Sequence, residues 1–285
     1  MVRYIHKSLQ HLTNCTCENV LLDLRLIVFP AGGVNVLGVA NVTFKACSFV
    51  ENMAADGAGL AGSGTAAIDM SSTTLANNRA HREGGGVFLS GTSEMTVSMS
   101  TLQACVAQFD GGGMSTRDES KVTLNDGVSI CQCQAIYGKG GGLLAAGASV
   151  TIQAKSHSLV MEDNRAVHGG GMCYMASVSM NGQATTVIQG NVASDGGGIF
   201  GFSRHKFSKV LSMECLCSEH VALVAVCGPE KVCKFVWLPL SGAGAAVNTC
   251  WKILFYCTRE GLAQDLFRDS ANTKPQLRAL TLENF

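Results

Sequence analysis

The sequence has few aromatic residues, no excess of charge of either sign and none of the common catalytic motifs. Aromatic residues make up 6% of the 285 residues, so we expect a core of stacked Ala, Val, Leu, Ile and Met side chains. With 21 basic and 21 acidic residues, the balance gives no sign of binding to nucleic acid or to an anionic membrane surface. Zinc-protease, phosphate-loop and serine-hydrolase motifs are missing from the sequence.

The thirteen cysteines do not form C-x-x-C pairs at the spacing of a zinc site. Three C-x-C pairs occur instead, beginning at Cys15, Cys131 and Cys215. We interpret these cysteines as small buried apolar residues, with disulfides or thiol chemistry as the alternatives. We expect neither a metal nor a cofactor.

A repeat fills the chain between residues 49 and 199. In each unit an apolar residue is followed three residues later by Asn or Cys, then by Ala and a cluster of glycines. The Asn or Cys position is occupied by Asn52, Asn78, Cys105, Cys133, Asn164 and Asn191. The last glycines of the six clusters are Gly59, Gly86, Gly113, Gly142, Gly171 and Gly198, which are 27, 27, 29, 29 and 27 residues apart. A period of this length indicates a solenoid, a propeller or an array.

Short alternating segments between the glycine clusters, such as Lys121–Leu124 and Ser149–Ile152, fit β-strands. A helical repeat would be destabilised by roughly 1 kcal/mol for each glycine of a triplet. A propeller blade needs about 40 residues or more for its four strands. The sequence therefore predicts an all-β fold, a single-stranded parallel β-helix with about 27 residues per coil.

Changes in composition divide the chain into three parts. We expect about seven coils of β-helix in residues 31–202 and a cap or a remnant coil in residues 1–30. Residues 203–285 lack glycine triplets and are expected to form a distinct segment, which is a cap, membrane-associated or poorly folded. Within it, residues 235–251 are uncharged, so membrane association is one of the alternatives.

Stacking of the coils turns each repeat position into a column of neighbouring side chains, spaced by about 4.8 Å. We expect the Asn column to pass amide hydrogen bonds from coil to coil, and its members to adopt the left-handed backbone of a sharp corner. Cys105 and Cys133 lie on adjacent coils, close enough to form a disulfide; the alternative is that they are a free, buried pair.

A second column precedes the small-residue clusters and contains Asp56, Glu83, Asp110, Lys139, His168 and Asp195. We interpret it as polar residues at a solvent-facing turn. As the alternative, its acids Asp56, Glu83, Asp110 and Asp195 bind a ligand or gather a divalent cation. Asp110, Lys139 and His168 are the catalytic candidates, because they lie on three successive coils.

The repeats resemble those of the polymorphic outer membrane protein family, which pairs F-x-x-N with G-G-A-[ILV]. The residues that carry the resemblance are Phe49-Val-Glu-Asn52 with Gly57-Ala-Gly59-Leu60, and Ile188-Gln-Gly-Asn191 with Gly196-Gly-Gly-Ile199. Phe is present in one of the six units, and the third small position is Gly rather than Ala. The resemblance implies a right-handed β-helix at a cell surface, with adhesion as its role.

From this resemblance we expect a non-enzymatic extracellular or cell-surface scaffold that binds a surface protein or a glycan. A polysaccharide lyase or glycoside hydrolase on a β-helix is the alternative. Residues 1–12 have no uninterrupted apolar run, unlike a signal peptide, so either the protein is not secreted or its N-terminus is incomplete, and we favour the second interpretation.

Overall fold

The computed structural model describes residues 3–6, 9–18, 32–175, 177–180, 184, 186–201, 205–207, 211–227, 233–238 and 250–255. All secondary-structure elements in these residues are β-strands. Strands of successive coils pair in parallel, as Leu75 does with Leu102, which lies 27 residues later. The predicted all-β parallel β-helix is confirmed.

Each coil passes through up to four sheets, which we number in the order in which the chain enters them after a glycine cluster. The described strands of sheet 1 are Arg3–His6, Val34–Gly38, Leu60–Gly64, Val87–Leu89, Met114–Arg117, Leu143–Ala146, Met172–Tyr174 and Ile199–Gly201. Those of sheet 2 are Leu9–Thr13, Asn41–Lys45, Ala67–Ser71, Glu94–Ser98, Lys121–Leu124, Ser149–Ile152, Val178–Met180 and His205–Phe207.

Sheets 3 and 4 complete the coil. Sheet 3 contains Thr16–Glu18, Ser48–Val50, Thr74–Ala76, Thr101–Gln103, Ser129–Cys131, Leu159–Glu162, Thr186–Asp195 and Leu211–Cys227, and then two antiparallel strands, Cys233–Leu238 and Cys250–Phe255. Sheet 4 contains the two-residue strands Met53–Ala54, Arg79–Ala80, Val106–Ala107 and Gln134–Ala135.

The core consists of columns of aliphatic side chains that point inwards from every second residue of a strand. In sheet 2 one column is 2% exposed or less throughout: Ile68, Met95, Val122, Val150 and Val178. Burial of such a side chain stabilises the fold by about 1.5 to 3 kcal/mol. Phe44 and Phe49 add an edge-to-face contact, with their ring centroids 5.3 Å apart. The expected core of stacked small and aliphatic side chains is the one the structure has.

A left-handed residue turns the chain between sheets 3 and 4. Positive φ angles occur at Glu51, Asn77, Ala104, Gln132, Asp163 and Gly190, each of which directly precedes a member of the Asn and Cys column. The expectation that the Asn column itself adopts this backbone is therefore wrong. Placing the turn one residue earlier leaves the following Asn side chain free to point inwards.

The corner between sheets 4 and 1 brings the backbones of successive coils close together. A Cβ atom added at Gly112 would overlap with the carbonyl oxygen of Gly141 and with the backbone of Gln134. Ala54, Ala80 and Ala107, at the ends of the sheet 4 strands, are fully buried. Small residues are thus required on both sides of this corner, as the repeat indicated.

The chain on either side of the predicted repeat region also pairs with it. Arg3–His6, Leu9–Thr13 and Thr16–Glu18 lie parallel to the strands of the next coil. At the other end, His205–Phe207 and Leu211–Cys227 lie parallel to strands of the preceding coil. The divisions after residues 30 and 202 stay predictions.

The uncharged run at residues 235–251 is described in part. Its first four residues belong to Cys233–Leu238 and its last two to Cys250–Phe255, whereas residues 239–249 lie outside the described residues. A search of the described residues finds no helix that is both long and apolar enough to span a membrane.

Candidate functional site

The second predicted column lies at the corner between sheets 4 and 1. Each of its members directly precedes a glycine with a positive φ angle: Gly57, Gly84, Gly111, Gly140, Gly169 and Gly196. The structure therefore brings Asp56, Glu83, Asp110, Lys139, His168 and Asp195 into one row along the solenoid. The interactions of each member decide what the row can do.

The first acid of the row is buried and engaged in contacts with the next coil. The side chain of Asp56 is 7% exposed and forms an ion pair with Arg82. Its Oδ1 atom accepts a hydrogen bond of 3.2 Å from the backbone N–H of Glu83. Burial raises the pKa of the Asp56 carboxyl group, and the bond from Arg82 opposes that rise. Asp56 therefore links two coils and is not open to a ligand.

The next two acids share one arginine. Arg117, the last residue of a sheet 1 strand, forms an ion pair with Glu83 through its Nε atom. Its Nη2 atom lies 2.6 Å from Glu83 Oε1 and 3.0 Å from Asp110 Oδ2. Ser115 Oγ donates a further hydrogen bond of 3.0 Å to Glu83. The hydrogen bond with Glu83 raises the pKa of Arg117. Mutual repulsion within the acidic row is thus relieved by Arg117 and Arg82, which the sequence analysis did not single out.

The three catalytic candidates lie on successive coils, as expected from the sequence. Both oxygen atoms of Asp110 are engaged, since Oδ1 accepts a 2.8 Å hydrogen bond from the backbone N–H of Lys139 and Oδ2 contacts Arg117. His168 Nδ1 lies 2.8 Å from Asp195 Oδ2, and its ring stacks on Phe200 at 5.1 Å. This geometry holds the row together from coil to coil.

The nearby cysteine of sheet 1 does not offer a nucleophile. Cys173 is fully buried in a small apolar cluster with Leu144 and Phe200. Burial raises the pKa of its thiol to about 12, so the reactive thiolate form is scarce near neutral pH. Among the described residues, no three His, Cys, Asp or Glu side chains are grouped so that they could hold a metal ion.

The spacing between sheet 4 and the positive-φ glycine varies along the row. Two residues separate Ala54 from Gly57, Ala166 from Gly169 and Ala193 from Gly196. Three residues separate Ala80 from Gly84 and Ala107 from Gly111, and four separate Ala135 from Gly140. The middle coils therefore contain extra residues at this corner. They are Arg82, Phe109 and the pair Tyr137-Gly138.

The extra residues project into solvent. The side chain of Arg82 is 57% exposed. Phe109 is 50% exposed and Tyr137 is 71% exposed, with their ring centroids 6.5 Å apart at an interplanar angle of 53°. Sequence reasoning missed this aromatic pair. The unequal spacers were the available signal.

The Asn column forms hydrogen bonds inside the solenoid, on the inner side of the corner between sheets 3 and 4. Nδ2 of Asn52 donates to Oδ1 of Asn78 at 3.0 Å, and Nδ2 of Asn164 donates to Oδ1 of Asn191 at 3.0 Å. Cys105 and Cys133 interrupt the amide series, and both are buried and free. The Cys133 thiol donates to the carbonyl oxygen of Leu102, and burial raises its pKa.

The one disulfide among the described cysteines joins a different pair. Cys15 and Cys47 precede paired strands of adjacent coils, and their Cα atoms are 4.5 Å apart. The same corner continues in the next two coils through buried hydroxyl groups, since Thr73 Oγ1 accepts from Cys47 N and Ser100 Oγ accepts from Thr73 N. Sequence reasoning missed this pairing, because the coil that contains Cys15 has no glycine triplet.

Comparison with known proteins gives one result for the fold. A family model described as the right handed beta helix region matches residues 4–154, which is just over half of the chain. Neither a curated protein nor a solved structure matches the chain.

Proposed function

The chain belongs to the family of right-handed β-helix regions, and from this premise we propose that it is a non-enzymatic repeat scaffold that binds a partner outside the cell or at its surface. The exposed aromatic pair Phe109 and Tyr137 is the observation that carries the proposal. The partner is a surface protein or a glycan.

The fold itself gives no reason for these two rings. Coils with the shorter spacer, such as those of Ala54 and Ala166, pair with their adjacent coils without an extra residue at this corner. Large apolar side chains that are grouped in solvent mark interaction sites more often than scattered ones do. Aromatic residues and Arg are also enriched where binding energy is concentrated in an interface. Arg82, another of the exposed extra residues, lies on the coil before that of Phe109.

Two further observations support a location outside the cell. Disulfides such as Cys15–Cys47 form and persist in oxidising compartments. The F-x-x-N and glycine motifs resemble the polymorphic outer membrane protein repeats, for which adhesion at a cell surface is the expected role. Membrane association through residues 235–251 remains a separate part of the proposal.

The alternative function is that of a polysaccharide lyase or glycoside hydrolase. Such an enzyme needs a carboxylate and a proton donor that are free to reach the substrate. The pairing of Asp110 with Arg117 and with the Lys139 backbone favours a structural role for that row. We therefore place the enzyme second.

The proposal is tested with the double variant Phe109→Ser, Tyr137→Ser. Binding of the full chain to intact cells and to glycan and protein arrays should be lost, while its melting temperature stays within about 2 °C, because exposed side chains contribute little to stability. The matched control removes exposed apolar side chains elsewhere, Val39→Ser with Met99→Ser, and should bind normally.

The same preparations are incubated with pectin-like and alginate-like polysaccharides, with and without Ca²⁺. If the unchanged chain cleaves one of these polysaccharides and Asp110→Asn does not, the chain is an enzyme and the non-enzymatic scaffold function is wrong. Undiminished binding by the double serine variant would remove the aromatic pair from the proposal.

A further inference from the structure

One face of the solenoid differs in charge from the rest of this electrically balanced chain. We define the sheet 4 face as residues 53–55, 79–82, 106–109, 134–137, 165–167 and 192–194. These segments contain Arg79, His81, Arg82 and Arg165 and not a single Asp or Glu. Basic and aromatic residues therefore share one surface, on a protein with a net charge of +0.

Two arginines of this face stand in one column. Arg79 pairs with Val106, Val106 with Gln134, and Gln134 with Arg165, all in parallel register. At about 4.8 Å per coil, the two arginines are about 14 Å apart along the solenoid. Both are exposed, and within the described part of the chain neither guanidinium forms an ion pair or a hydrogen bond.

The aromatic pair lies beside this column. Gln108 and Phe109 follow the strand Val106–Ala107, and Tyr137 follows Gln134–Ala135 one coil later. The rings are tilted by 53° to each other, so they form a notch rather than one flat platform. A notch accommodates a single branched or aromatic side chain better than it accommodates the flat face of a sugar ring.

Asp56 offsets the charge of Arg82, but the described neighbouring acids do not pair with Arg79 or Arg165. On the sheet 1 side, Asp56 pairs with Arg82, and Glu83 and Asp110 pair with Arg117. On the sheet 3 side, two exposed acids, Glu51 and Asp163, occupy left-handed corner positions outside the face. Attraction between such exposed charges is weak in water, so the guanidinium groups remain available to a partner that excludes water.

Resting on the function proposed above, we infer that the sheet 4 face docks an acidic segment of a partner protein. Carboxylates of that segment bind Arg79 and Arg165, and one apolar side chain between them enters the notch of Phe109 and Tyr137. Paired guanidinium and carboxylate groups provide orientation, and the buried ring contact provides affinity.

The test measures fluorescence anisotropy of labelled 12-residue peptides with the full chain. A peptide of alternating Glu and Leu should bind, while matched peptides of alternating Glu and Ser or Lys and Leu should bind at least about tenfold more weakly, because each lacks one of the two contacts. Binding of the first peptide should also weaken as the salt concentration rises, because salt screens exposed charges.

Two variants and a control locate the site. Arg79→Gln with Arg165→Gln, and separately Tyr137→Ser, should each weaken binding of the Glu and Leu peptide about tenfold or more. Lys121→Gln, on the exposed side of sheet 2, should leave binding within about twofold, since an exposed ion pair contributes little. Melting temperatures of all variants confirm that each is folded.

Three results would overturn the inference. They are absence of peptide binding, equal binding by the arginine variant, and tighter binding of a sulfated oligosaccharide than of the peptide at the same face. If cells or arrays still bind the chain and substitutions on another sheet abolish that binding, the inference fails and the scaffold function stands.

Discussion

Replacement of Asn164 by Leu should loosen the solenoid locally, because this side chain connects three coils. It is fully buried, and its Oδ1 atom accepts a 2.9 Å hydrogen bond from the backbone N–H of Cys133. Its Nδ2 atom donates to the carbonyl oxygen of Ile130 at 2.8 Å and to Oδ1 of Asn191 at 3.0 Å. Leucine has a similar size but can make none of these bonds.

The size of the destabilisation follows from the buried backbone groups that lose their hydrogen-bond partner. The carbonyl oxygen of Ile130 and the N–H of Cys133 would lose a buried partner, at about 1 to 3 kcal/mol each. Oδ1 of Asn191 retains the backbone N–H of Asn164, so it adds little. We therefore expect Asn164→Leu to lower the free energy of unfolding by about 2 to 6 kcal/mol. Asn164→Cys should lower it by about half as much, because the new thiol can donate to the carbonyl oxygen of Ile130, as the Cys133 thiol does to that of Leu102.

Hydrogen exchange measured by mass spectrometry separates local from global loosening. In Asn164→Leu, exchange should rise first in Ser129–Cys131, Leu159–Glu162 and Thr186–Asp195, with little early change in Thr74–Ala76. The control Asn41→Leu changes an exposed Asn and should exchange as the unchanged chain does. An even rise along the whole solenoid, or a Leu variant as stable as the Cys variant, would refute the reasoning.

Three other predictions concern the corners. Arg82→Gln should lower the melting temperature at pH 7, because it leaves the buried carboxylate of Asp56 without its partner. The effect should be much smaller at pH 3, because burial raises the pKa of Asp56 above 3.8 and the carboxyl group is then mostly protonated and uncharged. Equal losses at both pH values would contradict this. Cys15→Ala with Cys47→Ala opens a bridge across 32 residues and should destabilise the chain to urea by about 3 to 4 kcal/mol, with unchanged midpoints as the contrary result. Gly112→Ala should lower the melting temperature strongly, since its Cβ atom meets backbone atoms, and a tolerated alanine would show that the coils can move apart.

The sequence was sufficient to predict the fold of the repeat region because its period is also its pairing register. Phe49, Leu75 and Leu102 are equivalent in the motif, and they are direct partners in sheet 3. The Asn column is predictable for the same reason, since a fixed register stacks equal residues on each other. Each of these inferences needs only the repeat and the geometry of parallel strands.

Contacts that depend on the direction of a single side chain could not be predicted in this way. Arg117 binds Glu83, which lies 34 residues earlier, only because it ends a sheet 1 strand on the side facing that corner. The left-handed backbone was assigned to Asn78 and its equivalents, whereas it belongs to the preceding residue, Asn77 in this coil. Propensity could not distinguish two neighbouring asparagines.

Unequal spacers were visible in the sequence, and the structure shows what they mean. A solenoid coil closes with two residues between its Ala and its glycine, as in the coil of Ala166. The paired strands on both sides of the corner fix the register of the chain. Any additional residue must therefore bulge outwards into solvent. Ordinary loop insertions favour Gly, Asn, Asp and Ser. The middle coils gain one such residue, Gly138, but also Arg82, Phe109 and Tyr137, whose large side chains are exposed on three successive coils. Length and composition depart from the repeat at the same place, which is the reason for placing the proposed binding site at this corner.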